Sequence, residues 1–284
     1  MTTERTSEAG AVIVIEPSRG VAALQLGALW EYRELLGFLV WRDVKVRYKQ
    51  TALGVAWIVV QPLVSMVIFS VLFGYLLQAP SNGVPYPIFA YAGLLPWTYF
   101  AGSLTRASQS LVGSANLITK VYFPRLVIPL SGVVGGLVDF GVASLVLAGL
   151  MVWYRVPPTA NIVWLPAFLL LAMATALGFG LWLGALNVRY RDVNYLVPFL
   201  VQIWMYVTPV IYSVTLIPER YRWLLALNPM TGVVEGFRWA LLGGVMEAEP
   251  PGALFVVSVV ITLVVLVSGA VFFRSTERTF ADII

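Results

Sequence analysis

The chain has 284 residues, of which 60% are apolar and only 11% are charged, and its formal net charge is +4 at pH 7. A soluble domain carries roughly a quarter charged residues, so this composition excludes an ordinary soluble protein and predicts an integral membrane protein. The absence of cysteine and histidine excludes disulfides, thiol catalysis and the commonest zinc ligands, and the small net charge is not that of a nucleic-acid-binding protein.

The first predicted elements are a cytoplasmic tail over 1–28 and an amphipathic interface helix over 29–54. The tail contains only a short apolar run, too short for the core of a signal peptide. The helix carries too many charges to span a membrane. Tryptophans among basic residues suit a helix at the cytoplasmic lipid surface, and the alternative is a plain anchor for the first span. Its two partial apolar stripes are Tyr32-Leu36-Leu39-Val46 and Phe38-Trp41-Val44-Tyr48.

Six apolar segments of membrane length follow, and we predict that they form a transmembrane domain over 55–276. The predicted spans are about 55–77, 87–111, 126–152, 162–186, 193–217 and 252–273. Fourteen of the 18 lysines and arginines fall on the side that holds both chain ends, which includes a short second tail at 277–284. The positive-inside rule therefore places both termini in the cytoplasm.

Charges and small residues inside the spans single out a few positions. Asp139 is the only acid inside a predicted span, and we expect no paired charges for ion coupling there. An intramembrane carboxylate is costly, so Asp139 is either a proton relay or, as the sequence favours, a hydrogen-bonding group at a helix interface. Two motifs of small residues predict close packing between helices. These motifs are Gly132-x-x-x-Gly136 and Ala176-x-x-x-Gly180-x-x-x-Gly184.

Two spans carry aromatic and polar side chains on one helix face. Lipid provides no partner for glutamine, so these faces are predicted to meet protein or a channel. One interpretation is an aromatic lining for a solute such as a sugar. The alternative is packing between helices or an interfacial belt. The faces comprise Tyr195, Phe199, Gln202 and Tyr206 in the fifth span and Trp57, Gln61 and Ser65 in the first.

The cytoplasmic loop after the second span predicts a short helix. Ser114 or Asn116 is suited to cap it, and Pro124 ends it. We expect the apolar side chains of this loop to be exposed beneath the membrane and to need a partner, because a loop that only connects two spans does not usually carry them. These side chains are Leu117, Ile118, Val121, Tyr122 and Phe123.

The outer segment between the fifth and sixth spans is long and apolar. Asn228-Pro229 divides it into two stretches at about 219–227 and 231–242. Each stretch is too short to span, so each is predicted to be a re-entrant or interfacial half-helix. Within the second stretch Glu235 and Arg238 are three residues apart and are predicted to pair.

Taken together, these segments resemble the permease subunits of ABC-2-type transporters, in particular the branch that exports O-antigen, teichoic acid and capsular polysaccharide. The resemblance runs from about Leu29 to the C-terminus, and it rests on the order and spacing of several motifs. The motifs are Trp41–Gly54 leading into Trp57 and Gln61-Pro62, then Gly93–Trp97, Asn116–Arg125, Asn187–Asp192, Thr208–Tyr212 and Leu227–Met230.

The resemblance implies an all-α integral membrane fold with six transmembrane helices, the N-terminal interface helix and the two half-helices. It implies a permease, not an enzyme, in an ATP-driven exporter of a lipid-linked polysaccharide in the bacterial cytoplasmic (inner) membrane. Two copies would form a homodimer and bind two ABC ATPase subunits, so ATP and Mg²⁺ belong to the partner. No catalytic residue, metal site or cofactor is expected on this chain. Two alternatives remain open: a drug or lipid permease, and a membrane enzyme acting on lipid-linked sugars.

The resemblance also implies roles for particular residues. The faces named above, with Trp57 and Tyr195 among their members, would line the channel. The basic residues of the interface helix would attract a diphosphate headgroup, with positive-inside anchoring as the alternative. We expect replacement of Lys120 or Phe123 by alanine to uncouple ATP hydrolysis from export and to leave folding intact. The ATPase-coupling residues are Asn116, Leu117, Lys120, Tyr122, Phe123, Pro124 and Arg125, the headgroup residues Arg42, Lys45, Arg47 and Lys49, and the gate residues Tyr221, Trp223, Asn228, Pro229, Glu235 and Arg238.

Overall fold

The computed structural model describes residues 26–49, 54–121, 123–246, 250, 252–277 and 280. Tyr122 and most of the predicted N-terminal tail lie outside these residues. All regular structure within them is helical. The helices are α1 (Leu26–Glu31), α2 (Arg33–Lys49), α3 (Gly54–Phe69, continued by a π-helix at Ser70–Leu76), α4 (Tyr86–Gly113), α5 (Ala115–Lys120), α6 (Val127–Trp153), α7 (Leu165–Arg189, preceded by a 3₁₀ turn at Ala160–Trp164), α8 (Val193–Val207), α9 (Glu219–Ala226), α10 (Pro229–Leu242) and α11 (Ala253–Thr276), with a further 3₁₀ turn at Val214–Leu216.

Four helical segments of the described chain are long and apolar enough to cross a membrane. They match the first, third, fourth and sixth predicted spans, and they confirm the prediction of an all-helical integral membrane protein. The remaining predicted spans correspond to α4 and α8. The four segments are Ala56–Leu76, Val127–Trp153, Ala160–Arg189 and Phe255–Thr276.

Helix α8 is shorter than the predicted fifth span. It ends at Val207 after 15 residues, which is about 22 Å against a hydrocarbon core of about 30 Å. The prediction of one helix through 193–217 is therefore wrong over its last ten residues. The cause is Pro209, which disfavours helical backbone at the preceding residue, and Thr208 accordingly has extended backbone (φ −86°, ψ 138°).

Helix α4 is the central helix of the molecule, packed against α3, α6, α7, α8 and α10. Both predicted small-residue motifs lie against it. A Cβ atom added at Gly180 of α7 would be 2.5 Å from Cβ of Ala107, and one at Gly132 of α6 would be 3.2 Å from Cβ of Arg106. The small residues therefore let α6 and α7 approach the backbone of α4 from two sides, as the sequence predicted.

We expect Gly180→Ala to destabilise the protein by about 1–3 kcal/mol, because the added methyl group overlaps a Cβ atom that cannot rotate away. The matched control is Gly149→Ala on α6, where nothing lies within 4 Å of the added atom. The control should be neutral or stabilising by about 0.5–1 kcal/mol, since alanine favours helix over glycine. Unfolding midpoints of the two variants in the same detergent check this, and equal midpoints would contradict it.

The buried side chains form two separate clusters. The larger, the outer core, surrounds α4 and α10 and contains Tyr91, Phe100 and Phe237. The smaller cluster lies at the end of the bundle that carries α2, α5 and the end of α11, and we call it the inner core. It joins the six helices α2, α4, α5, α6, α7 and α11, and its residues are Leu39, Leu111, Ile118, Phe123, Leu126, Val127, Ile128, Leu181, Ala185, Val188, Ala270, Phe273 and Phe280.

Candidate transport site

The two predicted channel-lining faces lie on the outside of the single chain. Tyr195 is 83% exposed and Phe199 is 59% exposed on α8, and Trp57 is 59% exposed on α3. Gln61 and Gln202 are exposed as well, and Tyr206 follows on the same face of α8, while Ser65 is partly buried. These faces therefore do not pack inside this chain. The remaining partners are lipid, a second chain or a transported molecule.

Helices α9 and α10 match the two predicted half-helices closely, but they differ in burial. On α9, Tyr221 and Trp223 are exposed. Most of α10 is buried, because α4, α7 and α11 enclose it. A helix of 14 residues, about 21 Å long, thus lies inside the protein and is not a peripheral flap.

Asn228 begins α10 and connects it to α8. Its side-chain oxygen accepts hydrogen bonds from the backbone N–H of Met230 (3.1 Å) and from Nε1 of Trp204 (2.9 Å). Its amide nitrogen donates to Oγ1 of Thr208 (2.8 Å). Pro229 occupies the first helical position, where its missing N–H is not needed. This cap fixes the start of α10 against the end of α8.

Residues Thr208–Ser213 leave α8 as a buried, non-helical segment, which we call the outer strap. Backbone at membrane depth needs partners for its carbonyl groups, since no water is present to bind them. Arg238 of α10 supplies partners for three of the six, donating to the carbonyl oxygens of Pro209 (2.7 Å), Val210 (2.5 Å) and Tyr212 (3.3 Å). The hydroxyl of Tyr86 donates to the carbonyl of Ile211 between them.

Arg238 is completely buried, and its charge is balanced locally. Its Nη1 lies 2.9 Å from the carboxylate of Glu235, which confirms the predicted pair. Its guanidinium carbon lies 3.7 Å from the ring centroid of Phe89. Gly93 leaves room for it, because a Cβ atom there would be 2.7 Å from Nη2. The sequence predicted the ion pair but missed the strap, for which the Thr208-Pro209 dipeptide was the available signal.

The predicted coupling segment forms one short helix, α5, followed by a loop. Asn116, Lys120 and Val121 are exposed, and Leu117, Pro124 and Arg125 are partly buried. Ile118 and Phe123 belong to the inner core, where Phe123 is only 4% exposed. The expectation that these two side chains are exposed is wrong, because the chain's own helices α2, α7 and α11 cover them.

Glu277 attaches the same loop to the end of α11. Its carboxylate accepts from the backbone N–H of Arg125 (3.2 Å) and from the side chain of Arg274 (2.8 Å). The guanidinium of Arg125 in turn donates to the backbone carbonyl of Glu277. Phe280 follows, buried against Phe273. The start of the predicted second tail is therefore packed against the loop that carries the predicted coupling residues.

The four basic residues of α2 differ in their surroundings. Lys45 and Lys49 are exposed one helical turn apart. Arg42 is half-buried and lies 2.8 Å from Asp43 of the same helix. Arg47 points the other way and lies 2.5 Å from Asp139 of α6. The structure thus leaves three of the four predicted headgroup residues on the surface and uses Arg47 inside the chain.

Asp139 is the centre of a polar cluster between three helices. It accepts from Arg47 and Tyr48 of α2 and from Arg106 of α4, whose Nη1 is 3.5 Å away. The interpretation of Asp139 as a hydrogen-bonding group at a helix interface is confirmed. Arg106 and Asp139 both lie in predicted spans and form a charge pair that the sequence analysis missed, whereas its expectation of no paired charges for ion coupling stays a prediction. Burial, together with the hydrogen bond to Asp139, raises the pKa of Tyr48 to about 12, so this hydroxyl stays protonated and donates at neutral pH.

These features define a multi-pass helical membrane protein with exposed aromatic and polar faces beside a buried half-helix. The ABC-2 type transporter family matches residues 34–242, and the chain belongs to that family. It is 32% identical over 257 residues to the O-antigen export system permease protein RfbA of Myxococcus xanthus, covering 89% of this chain and 96% of the relative.

Two further relatives are similar over nearly the same length. A protein of Klebsiella pneumoniae with the same name, O-antigen export system permease protein RfbA, is 30% identical over 252 residues, covering 88% of this chain and 95% of the relative. The polysialic acid transport protein KpsM of Escherichia coli is 24% identical over 242 residues, covering 84% and 91%. The similarity therefore extends over most of the helical bundle in both.

Proposed function

We propose that this chain is the membrane-spanning permease subunit of an ATP-driven exporter that moves a lipid-linked polysaccharide out across the bacterial cytoplasmic membrane. The observation that carries the proposal is the similarity to export permeases over almost the whole length of both chains, at 32% identity for the Myxococcus protein. Proteins whose names specify O-antigen and polysialic acid share this similarity, so a long glycan is the cargo class that fits best.

The exposed faces of α3 and α8 support a homodimer that encloses the transport path. Each face combines aromatic rings with a glutamine, Gln61 or Gln202, which lipid cannot satisfy. Rings with polar neighbours suit sugars, which have apolar faces and polar edges. A second copy placed against these faces would shield them from lipid and leave the rings along a path between the two chains.

The end of the bundle that holds the inner core is the side on which we place two ABC ATPase subunits, both chain termini and the cytoplasm. Asn116, Lys120 and Val121 of the coupling segment are exposed there and are available to a partner. Lys45 and Lys49 provide exposed positive charge for the diphosphate of a lipid-linked glycan. ATP and Mg²⁺ would bind to the partner subunits.

The decisive experiment combines copurification with a lipid analysis of the deletion strain. If the proposal is right, an ABC ATPase copurifies with the detergent-solubilised permease, and a lipid-linked glycan accumulates on the cytoplasmic side when the gene is removed. Accumulation of a different lipid or of a small molecule would show that this molecule, and not a glycan, is the cargo. The lack of any ATP-binding partner would overturn the exporter itself.

The α8 face offers a direct test of the transport path. We expect the triple substitution of Tyr195, Phe199 and Tyr206 by alanine to reduce glycan export at least about tenfold, if each ring contributes to cargo binding the roughly 0.5–1.5 kcal/mol that it contributes in a pair of aromatic rings. The matched control replaces three comparably exposed valines of α11 by alanine, and this control should export normally. They are Val256, Val260 and Val264. Equal export by both triple variants would mean that the α8 face contacts lipid and does not line the transport path.

A further inference from the structure

Asp139 lies deep within α6. It is 12 residues beyond Val127, the first residue of the helix, which corresponds to about 18 Å along the helix axis. A carboxylate at that depth is costly unless it is paired, and such residues usually have a functional reason. Its partners come from outside α6: Arg47 (2.5 Å) and Tyr48 from the interface helix α2, and Arg106 (3.5 Å) from the central helix α4.

The structure holds Arg106 firmly in this cluster. Its Nε donates to the carbonyl oxygen of Gly132 (2.9 Å), and its Nη2 donates to Oγ of Ser103 (3.1 Å). Two glycines leave space for the guanidinium, since a Cβ atom at Gly102 would be 3.0 Å from Nη1 and one at Gly136 would overlap Nη2. The small-residue motif of α6 thus leaves space for the guanidinium of Arg106 and also allows close helix packing.

Helix α2 has two attachments that differ in kind. Near its middle Leu39 is buried in the inner core, while Phe38 and Trp41 remain exposed. Eight residues later, about 12 Å along the helix, Arg47 and Tyr48 bind Asp139. The first attachment is apolar and tolerates sliding, whereas the second is directional and charge-assisted, so it fixes the rotation and the register of α2 against α6.

We propose that Asp139 is a positioning residue that couples the interface helix to α4 and α6, so that a displacement of α2 by the ATPase moves these two helices. This inference rests on the proposed function. An ATPase pushing on the cytoplasmic surface acts on α2, and the ion-pair cluster is a rigid connection from α2 to the centre of the bundle. Without it, α2 is held to its neighbours by packing that tolerates sliding, and the motion is lost.

The first test measures hydrogen exchange of α2 amides in the assembled permease–ATPase complex in lipid nanodiscs. For Asp139→Asn we expect exchange in residues 43–49 to become about tenfold faster, since a charge-assisted bond that holds this end is lost. Asp43→Asn is the matched control, because Asp43 accepts hydrogen bonds from Arg42 of the same helix. This substitution should leave the exchange of α2 unchanged. Asp139→Glu retains the charge and should restore most of the protection.

A double-mutant cycle then separates the cluster from a general loss of structure. Arg47→Gln combined with Asp139→Asn should speed exchange by less than the sum of the two single effects, because both substitutions remove the contact between Arg47 and Asp139. Additive effects would mean that the two residues act independently and would overturn the proposal. Unchanged α2 exchange in Asp139→Asn would overturn it as well.

The second test measures ATP hydrolysis and export by the same complexes, with the lipid-linked glycan that accumulates in the deletion strain as the probe. Asp139→Asn should hydrolyse ATP within about twofold of wild type and lose most of the export per ATP, whereas Asp139→Glu should recover it. Full export by Asp139→Asn with faster α2 exchange would show a structural contact without coupling and would overturn the proposal. Failure of the wild-type chain to bind an ATPase would instead refute the proposed function, and the exchange of α2 in the permease alone would still report on Asp139.

Discussion

Arg238→Ala is expected to destabilise the protein by about 3–5 kcal/mol, because it removes a completely buried side chain and leaves several carbonyl groups without a donor, at about 1–3 kcal/mol for each buried unsatisfied group. The guanidinium donates to three carbonyl groups of the outer strap and to Glu235. Alanine would leave those carbonyls without a donor where no water can reach them, and it would leave the carboxylate of Glu235 without its partner. The strap would detach from α10, and the connection between α8 and the half-helices would lose its geometry.

A second arginine of the same region provides the control for this prediction. Arg222 of α9 donates one hydrogen bond to the carbonyl of Ile217 (3.0 Å) and lies 3.8 Å from the exposed Glu219. Arg222→Ala should cost no more than about 1 kcal/mol, as exposed ion pairs do. The loss of stability caused by Arg238→Lys should lie between those of Arg238→Ala and Arg222→Ala, because an ammonium group keeps the charge but cannot reach all of the carbonyls.

Equilibrium unfolding in a mild detergent, with SDS as the denaturant, measures all three variants under one condition. Comparable stability of Arg238→Ala and Arg222→Ala would mean that the strap finds other partners. Export assays of Arg238→Lys then ask whether strap geometry matters beyond stability. A stable protein with impaired export would place the strap in the transport cycle, as its position between α8 and α10 predicts.

The second large effect is expected for Phe123→Ala, which should destabilise the protein by about 3–5 kcal/mol. The ring is 4% exposed and lies in the inner core with Leu39 of α2 and Phe273 of α11. Its removal would leave a cavity where three parts of the chain meet. This outcome replaces the sequence-based expectation that Phe123→Ala leaves folding intact.

Lys120→Ala provides the contrast, because Lys120 is exposed at the end of α5. We expect the free energy of unfolding of the Lys120→Ala variant to stay within about 0.5 kcal/mol of wild type, as for most surface substitutions. In the same variant ATP hydrolysis should become uncoupled from export. Measuring stability and the export-to-hydrolysis ratio on both variants separates the two effects. Normal coupling in Lys120→Ala would count against the coupling role of this segment, and wild-type stability of Phe123→Ala would count against the inner core.

The inner core and the Asp139 cluster join helices that are distant in the chain at the same part of the bundle. The predicted coupling segment is packed against α11 through Phe123 and bonded to it through Glu277, and α2 is bonded to α6 through Asp139. A force on α2 would therefore reach α6, whereas a force on the predicted coupling segment would reach α11. The structure separates these two attachments, so the variants above test them one at a time.

The sequence by itself determined the class of protein and the layout of its helices. Long uncharged segments have few stable structures other than membrane helices, so four spans follow from composition and length. Local spacing was also sufficient for contacts within one helix, such as Glu235 with Arg238, and for the small residues of α6 and α7. The half-helices followed from Asn228-Pro229, because proline disfavours helical backbone at the preceding residue and asparagine is a favoured first cap of the next helix.

Only the tertiary structure decided which polar groups meet and which apolar residues are covered. Asp139 and Arg47 are 92 residues apart in the chain, and Arg238 and Pro209 are 29 apart, so no local pattern pairs them. Phe123 looks the same in sequence whether a partner protein or α11 covers it. Packing assigns such groups because a buried charge or carbonyl must find a partner somewhere in the fold, and helices distant in sequence supply it.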